Sequence, residues 1–509
     1  MRSLLGRFHR PMSRGAMGDM LTMNSLGDGS TLSLDFTTGV LDPRLTFSRA
    51  SGGTYVGPDG YIYGVDSATS ASLAIGTGSK SVTLTATASV NRRFQVGQTV
   101  YFSSGANNMS GLVTAYDSST QVITINATAT TGSGSFTSWF VGNASPRFDY
   151  SPTTIGEPRG LLIEGQIANA CLNSQALTTG WLNVNMITPT NPAIADPFGG
   201  TSATWKLVAA SGSAVHLWRH SVITLTAAAY TFSFWAKAVE YDRVIIADPG
   251  TGIGACTFLL TGNGTATVVG GTATNPQITP YPFDWYRCSV TMTASATTYA
   301  LGIAGYPATG ATINNYGATY TGTGTEGVYA TGLQIELGSG ASSYIPTGAS
   351  QVTRNADDCT ITGTNFSSWY NPNEGSTLIQ WTGGSGQNLT NGRSHTFLNS
   401  AQTQQIFEGS AYGLNVFLTT FQAQIGYGLG SLFSAAKVAS AFKQADFATS
   451  VNGSNAVVQS SGTMPTLVDR VSIGSNYLNA AAYKFVCIKQ FKYFPTRLSD
   501  AQLKFLSTP

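Results

Sequence analysis

The sequence predicts an all-β protein: an N-terminal arm followed by several β-sandwich or jelly-roll modules, with an inserted small β-barrel or sandwich. Three observations carry this. Apolar residues come in short alternating runs, such as Leu333, Ile335 and Leu337 against Gln334, Glu336 and Gly338, the period of two of a half-buried strand. Gly, Asn, Pro and Ser separate these runs, as turns require. Hydrophobic residues make up 42% of the chain and aromatics 11%, enough to build cores and to exclude disorder, although charged residues reach only 10% against roughly 25% in an average soluble protein. A length of 509 residues calls for several domains.

In chain order, residues 1–33 form an arm. Arg2, Arg7, Arg10 and Arg14 precede the first acid, Asp19. Such a segment is either a solvated tail or an anchor on an acidic surface. Residues 34–67 and 145–167 read as one split unit. Leu32, Leu34 and Phe36 alternate into a strand, and 54–63 forms a hairpin about Pro58, Asp59 and Gly60. The insert, 68–144, carries its own strands at 81–85, 99–102, 111–116, 121–126 and 135–141, with a turn at Asp117. Residues 168–350 form a central module. Its strand 227–237 puts Tyr230, Phe232, Phe234 and Ala236 on one face and Thr231, Ser233, Trp235 and Lys237 on the other, so it is expected between two layers. Residues 351–509 form a terminal module whose last strand, 485–494, precedes a short helix with Ser499 as N-cap and Leu503 and Leu506 inward. No repeat of 20–50 residues supports a parallel β-helix.

Charge and chemistry narrow the function. A formal net charge of +2 excludes a broadly basic nucleic-acid binder. No run approaches the ~18 apolar residues that span a bilayer, and the N-terminus is too short in apolar core for a secretory signal. Cys171, Cys256, Cys288, Cys359 and Cys487 are odd in number and widely spaced, which favours buried thiols over a disulfide framework or a zinc site. His216 and His220 share a strand face but lie about 13 Å apart, too far to share a metal. No nucleophile elbow, HExxH or P-loop occurs, so no catalytic residue is assigned. Glu240, Asp242, Asp248, Asp357 and Asp358 are the only local carboxylate groupings. They read as solvated turn residues, with calcium at Asp357/Asp358 or Glu240/Asp242 the one cofactor left open and no other metal expected. Sugar-stacking candidates are Trp181, Trp218, Tyr241, Trp369 and Tyr370, with Trp205 and Trp381 behind them; core packing is the alternative for each, and Trp235 and Trp285 are expected in the core.

Three stretches carry a resemblance. They are 332–348 (GLQIELGSGASSYIPTG) with Val352–Arg354 and 356–358, then 34–50 (LDFTTGVLDPRLTFSRA), then 146–152 (PRFDYSP) leading into 160–164. In wording and order they resemble a jelly-roll module of tailed-bacteriophage structural proteins. There the hairpin is usually followed shortly by the PRFDY element, and about 80 residues intervene here. The central module resembles a carbohydrate-binding jelly roll. The end of the chain resembles the concanavalin/laminin-G sandwich of phage fibre proteins. The resemblance implies a virion protein, a head or tail fibre or spike subunit assembled in the host cytoplasm, not an enzyme. Its arm, through Arg2, Arg7, Arg10 and Arg14, would hold it to other virion proteins of the capsid, tail or portal region. It would form a homotrimer and adsorb to a host-surface glycan, without nucleic acid or membrane insertion. A polysaccharide depolymerase tailspike and a head decoration or cement protein are the alternatives.

Overall fold

The alternating runs form strands along the whole chain, gathered into three bodies. The computed structural model describes residues 28–84, 94, 96–104, 107–117, 119–295, 297–382, 392–409, 413–426, 435–475 and 486–509. The four arginines of the arm lie outside the described residues. The arm itself ends earlier than expected. Asp28 pairs with Lys492, the Thr31 hydroxyl donates to the Trp369 carbonyl at 3.0 Å, and Leu32 is buried.

The base of the molecule is a two-sheet sandwich. One sheet runs in the order Arg147–Tyr150, Pro158–Ile163, Val486–Phe494, Glu374–Thr382, Ala436–Lys443, Asp446–Val451, Val457–Gln459, with Leu32–Asp35 also paired to Val486–Phe494. The other runs Thr46–Ser48, Asp358–Thr362, Arg470–Ile473, Arg393–Leu398, Gln404–Gly409, Gly413–Leu418, Thr420–Ile425. This redraws the expected boundaries, because 34–67 and 145–167 do not form a unit of their own. Their strands complete both sheets of the terminal module. Ile488 and Phe491 on the last strand are fully buried, so an unpaired edge there would leave backbone donors unsatisfied in an apolar setting. Leu32, Leu34, Phe36, Leu161 and Ile163 fill the same core as Phe397, Phe442 and Phe491. Gly160 permits the join: its φ is +104°, and a Cβ there would lie 2.1 Å from the Ile488 carbonyl oxygen.

Two bodies are inserted into this base. Val65–Ala74, Gly78–Leu84, Thr99–Ser104, Asn107–Asp117, Val122–Thr131 and Ser135–Asn143 close into a barrel, the form expected for the insert, around Val100, Phe102, Ile123, Ile125 and Val141. The Asp117 carboxylate accepts from Ser119 N–H at 2.8 Å and makes the turn expected there. The central body hangs from a neck in which Ile167–Asn169 pairs with Val352–Arg354. It is a jelly-roll-like sandwich of two main sheets. One contains Trp205–Val208, Gly327–Leu337, Ala228–Ala238, Trp285–Ala294 and Thr274–Tyr281. The other is built around Gly212–His220, Arg243–Ala247 and Gly302–Tyr306. Ala228–Ala238 is buried on both faces, as its composition predicts. Phe232 and Phe234 enter the central core, while Trp235 joins Trp285, Tyr344, Val56 and Ile62 in a separate cluster that seats the 54–63 hairpin on the outer face of the sheet.

All five cysteines are buried and unpaired with one another. Asp500–Leu506 is the expected helix. Ser499 caps it with a full capping box to Gln502, and Leu503 is buried against Leu378, Ala439 and Phe494.

Candidate functional site at the module junction

Where the base, the hairpin and the central sandwich meet, the chain buries a network of charged side chains. Each of the three resembling stretches contributes to it. Arg147 Nη1 reaches Glu164 at 2.6 Å and its Nη2 reaches Asp357. Arg49 pairs with the other oxygen of Asp357 at 2.6 Å, and Arg354 with Glu164 at 2.9 Å. None of these side chains is more than 3% exposed. Burial opposes the charged form of each, yet Arg354 and Arg147 bring the Glu164 carboxyl down to about 2. Arg147, opposed by burial but flanked by Asp357 and Glu164, is held more firmly protonated than usual. Arg49 falls to about 10 through burial, partly offset by Asp357.

Backbone groups finish the network. Ser343 donates to Glu164 from its N–H at 2.8 Å and its hydroxyl at 2.7 Å. Arg49 Nε donates to the Ser51 carbonyl at 2.9 Å, and Arg354 Nη2 to the Gly165 carbonyl at 2.9 Å. Next to it, Gln334 Oε1 accepts from Ile345 N–H at 2.7 Å, and Glu336 accepts from Ser342 N–H and hydroxyl, both at 2.6 Å. The apolar face is buried as expected, with Leu333 and Ile335 in the central core, but the strand is covered on its polar face as well. Gln334 and Glu336 are 1% exposed, whereas Leu337 is 48% exposed. The polar residues are buried because the 338–348 loop folds back over them and needs acceptors for its amides.

Beside the network lies a cleft of about 430 Å³, lined by the hairpin, by 149–162 and by the central sandwich. Arg159, Arg287, Asp149 and Glu164 are its charged lining, with Ser151, Thr153, Gln277, Thr279, Tyr281 and Ser343 among the polar rest. Asp149 is 5% exposed and accepts from Val56 N–H at 2.7 Å and Arg159 at 3.3 Å. Its burial raises its carboxyl above the usual range, against the pull of Arg159. Arg287 stacks over the Trp235 ring at 4.7 Å and donates from Nη2 to the Ser342 carbonyl at 2.7 Å. A second cleft, of about 370 Å³, separates the barrel from the neck. Tyr101, Ser103, Asn108, Gln351, Thr353 and Asn355 contribute to its lining, which contains no charged side chain.

The residues proposed from sequence as sugar platforms do not gather at either cleft. Trp181, Trp218 and Tyr241 belong to the central core and Trp369 to the base core, each 5–6% exposed. Trp181 meets the His220 ring edge-on, and Trp218 donates its indole N–H to the Leu177 carbonyl at 2.6 Å. Tyr370 is half-buried and stacks on Phe366. Of the two further candidates, Trp381 is buried and Trp205 donates to the Gln175 carbonyl at 2.7 Å. Periodicity cannot tell an aromatic that fills a sandwich from one that faces solvent, and here the cores claim them. Trp235 and Trp285 are in the core as expected.

Most of the carboxylates considered for calcium or acid–base chemistry are already engaged, whereas the buried Asp358 Oδ1 has no hydrogen-bond partner among the described residues. Glu240 pairs with Lys206 at 2.6 Å, Asp242 with Arg243 at 2.7 Å, and Asp357 with two arginines. Among the described residues no three His, Cys, Asp or Glu side chains converge as a metal site. His216 sits between the Asn185 and Tyr320 carbonyls, and His220 accepts from Leu172 N–H at 3.1 Å. No described helix is long and apolar enough to cross a membrane.

Arg49, Arg147, Glu164 and Arg354 all lie within the three resembling stretches, yet no spacing in the sequence joins them into a set. Each arginine follows a strand-like pattern in which a buried charge is the exception, so only the recurrence of Arg and acid in all three stretches marks them.

No protein-family model matches the chain, and no curated protein matches it. Solved structures do. A point mutant of NanB sialidase from Streptococcus pneumoniae is 12% identical, over 30% of this chain and 27% of that one, with a TM-score of 0.22. Domains LG4-5 of the mouse laminin α1 chain are 11% identical, over 56% and 88%, with a TM-score of 0.16. Trypanosoma rangeli sialidase in complex with sialic acid is 11% identical, over 85% and 71%, with a TM-score of 0.21. The chain thus spans little more than a quarter of the NanB chain. TM-scores this low carry no weight for function.

Proposed function

We propose that this chain is a structural virion protein of a tailed bacteriophage, a fibre or spike subunit that binds a host-surface glycan without cleaving it. The observation that supports it best is the junction. Every stretch that resembles phage structural modules supplies a charged side chain to one buried network, and that network ties the neck of the central sandwich to the base. A projecting adhesin needs its modules held in fixed relation, and five interlocked side chains with little exposure supply that. The residues before Asp28, with Arg2, Arg7, Arg10 and Arg14, would hold the subunit to other virion proteins, and a homotrimer would give each particle several binding sites.

The test is to purify particles, quantify the chain by mass spectrometry and label it with antibody-coupled gold. Gold on heads or on tails, at a fixed copy number, supports the reading and separates head fibre from tail fibre. Particles without the chain overturn it. Release of reducing ends from host polysaccharide by the purified chain would favour the depolymerase instead.

A further inference from the structure

We infer that the cleft beside the buried network is a binding site for an acidic saccharide, with Arg159 and Arg287 recognising its carboxylate. This deepens the glycan-binding reading and rests on it.

The charged lining of the cleft is unevenly engaged. Five guanidinium groups (Arg49, Arg147, Arg159, Arg287, Arg354) meet at the junction with five carboxylates (Asp149, Glu157, Glu164, Glu336, Asp357). Glu164 and Asp357 are committed to Arg49, Arg147 and Arg354. Burial presses Asp149 and Glu336 toward their neutral forms: Asp149 is raised, and Glu336 reaches about 7 despite hydrogen bonds from Ser342. Of the four charged side chains that line the cleft, Glu164 is thus held in the network, which leaves Arg159 and Arg287 beside Asp149.

The arginines are also suitably presented. The Arg287 guanidinium carbon lies 4.7 Å from the centroid of the Trp235 ring, and its Nε is buried with no hydrogen-bond partner among the described residues. A guanidinium anchored by a ring and by the Ser342 carbonyl is pre-positioned for a carboxylate, which guanidinium groups bind through charge-assisted hydrogen bonds. Arg159 enters from the opposite wall, on the base sheet, and is about a quarter exposed. Between them the lining offers hydroxyls (Ser151, Thr153, Thr279), an amide (Gln277) and the Tyr281 ring, the mixed polar and aromatic surface that sugar hydroxyls and ring faces require. The volume of about 430 Å³ falls within the range of small-molecule sites, roughly 300–1,000 Å³. The second cleft is of similar size but uncharged, and serves as an internal contrast.

The experiment uses the full chain on uronate- and sialate-bearing oligosaccharides and on their methyl esters, which keep the hydroxyls and lose the charge, with inorganic phosphate as competitor. Saturable binding of an acidic oligosaccharide is expected, at least ten-fold weaker for its ester, with phosphate at least ten-fold less effective as a competitor than the free sugar acid. Arg159→Gln and Arg287→Gln should each weaken binding ten-fold or more. Because Arg287 also packs on Trp235, Gln277→Trp provides a second route: it crowds an exposed position at the mouth, keeps both arginines and should abolish binding with thermal unfolding unchanged. No saturable binding of any acidic sugar, equal binding of acid and ester, or wild-type binding by Gln277→Trp overturns the inference. Equal competition by phosphate overturns its saccharide half. Gold-labelled particles combined with absent binding would reject this site alone, whereas binding by a chain absent from particles would reject the virion reading alone.

Discussion

Arg147 bridges the two acids of the network, and its loss would leave Glu164 and Asp357 in low dielectric without their shared partner. A buried ion pair adds little net stability over a well-packed apolar pair, but breaking one by truncation costs roughly 3–5 kcal/mol. Arg147→Ala should lose about that much in denaturant unfolding. Arg147→Lys should recover only part of it, because a single ammonium cannot reach both carboxylates as a planar fork does. Glu164 also predicts a pH dependence. Its folded carboxyl lies near 2 against an ordinary 4.5. Its contribution, on the order of 3 kcal/mol, is therefore complete above about pH 4.5 and fades as pH falls toward 2. Glu164→Gln should flatten the acid limb of the stability curve; a limb of unchanged steepness would show that other carboxylates dominate it. The sequence marked where these residues sit, since all fall in the three resembling stretches, but not what they do. An arginine in a strand pattern carries no sign of burial until its acid partner, 17 positions away for Glu164 and 210 for Asp357, is folded beside it.

At the level of elements, legibility follows how local the cause is. The terminal helix was readable because its signals lie within nine residues: Ser499 accepts from Gln502 N–H, Gln502 returns the bond, and Leu503 faces the sheet. Ser499→Ala should cost about 1 kcal/mol through loss of the cap, and Leu503→Ala roughly 2–5 kcal/mol through the cavity it leaves. Both are measurable as shifts of the urea midpoint at constant slope. Gly327–Leu337 was readable as a strand and in its apolar facing, but not as a strand covered on both sides. Gln334 and Glu336 face a loop that brings unsatisfied amides, and Leu333 and Ile335 face the sandwich core. Alternation gives the period and the core face; whether the other face is buried as well depends on the layer outside it.

Across the whole molecule, the strand pairing dictates which parts can live alone. The sequence suggested a free-standing terminal module from residue 351, whereas Val486–Phe494 takes two of its partners, Leu32–Asp35 and Pro158–Ile163, from the other end of the chain. A fragment of 351–509 would expose that edge and lack Leu32, Leu34, Phe36, Leu161 and Ile163 from its core. Exposed strand edges beside uncovered apolar surface lead to aggregation. The barrel is the opposite case. It enters and leaves at neighbouring points, since Val65 pairs with Gly142 and Asn143 N–H donates to the Gly64 carbonyl. It also keeps its own core. Replacing 66–142 by a short Gly/Ser bridge should therefore leave a soluble chain. Keeping Asn143 in that design preserves the carbonyl that accepts from Arg49 and hence the charged junction. The excised chain should retain a cooperative thermal transition and the Trp-rich near-UV circular dichroism of the base and central sandwich, while the 351–509 fragment should be insoluble or lack a transition. A well-folded 351–509 fragment would mean that the N-terminal strands decorate the sandwich rather than complete it.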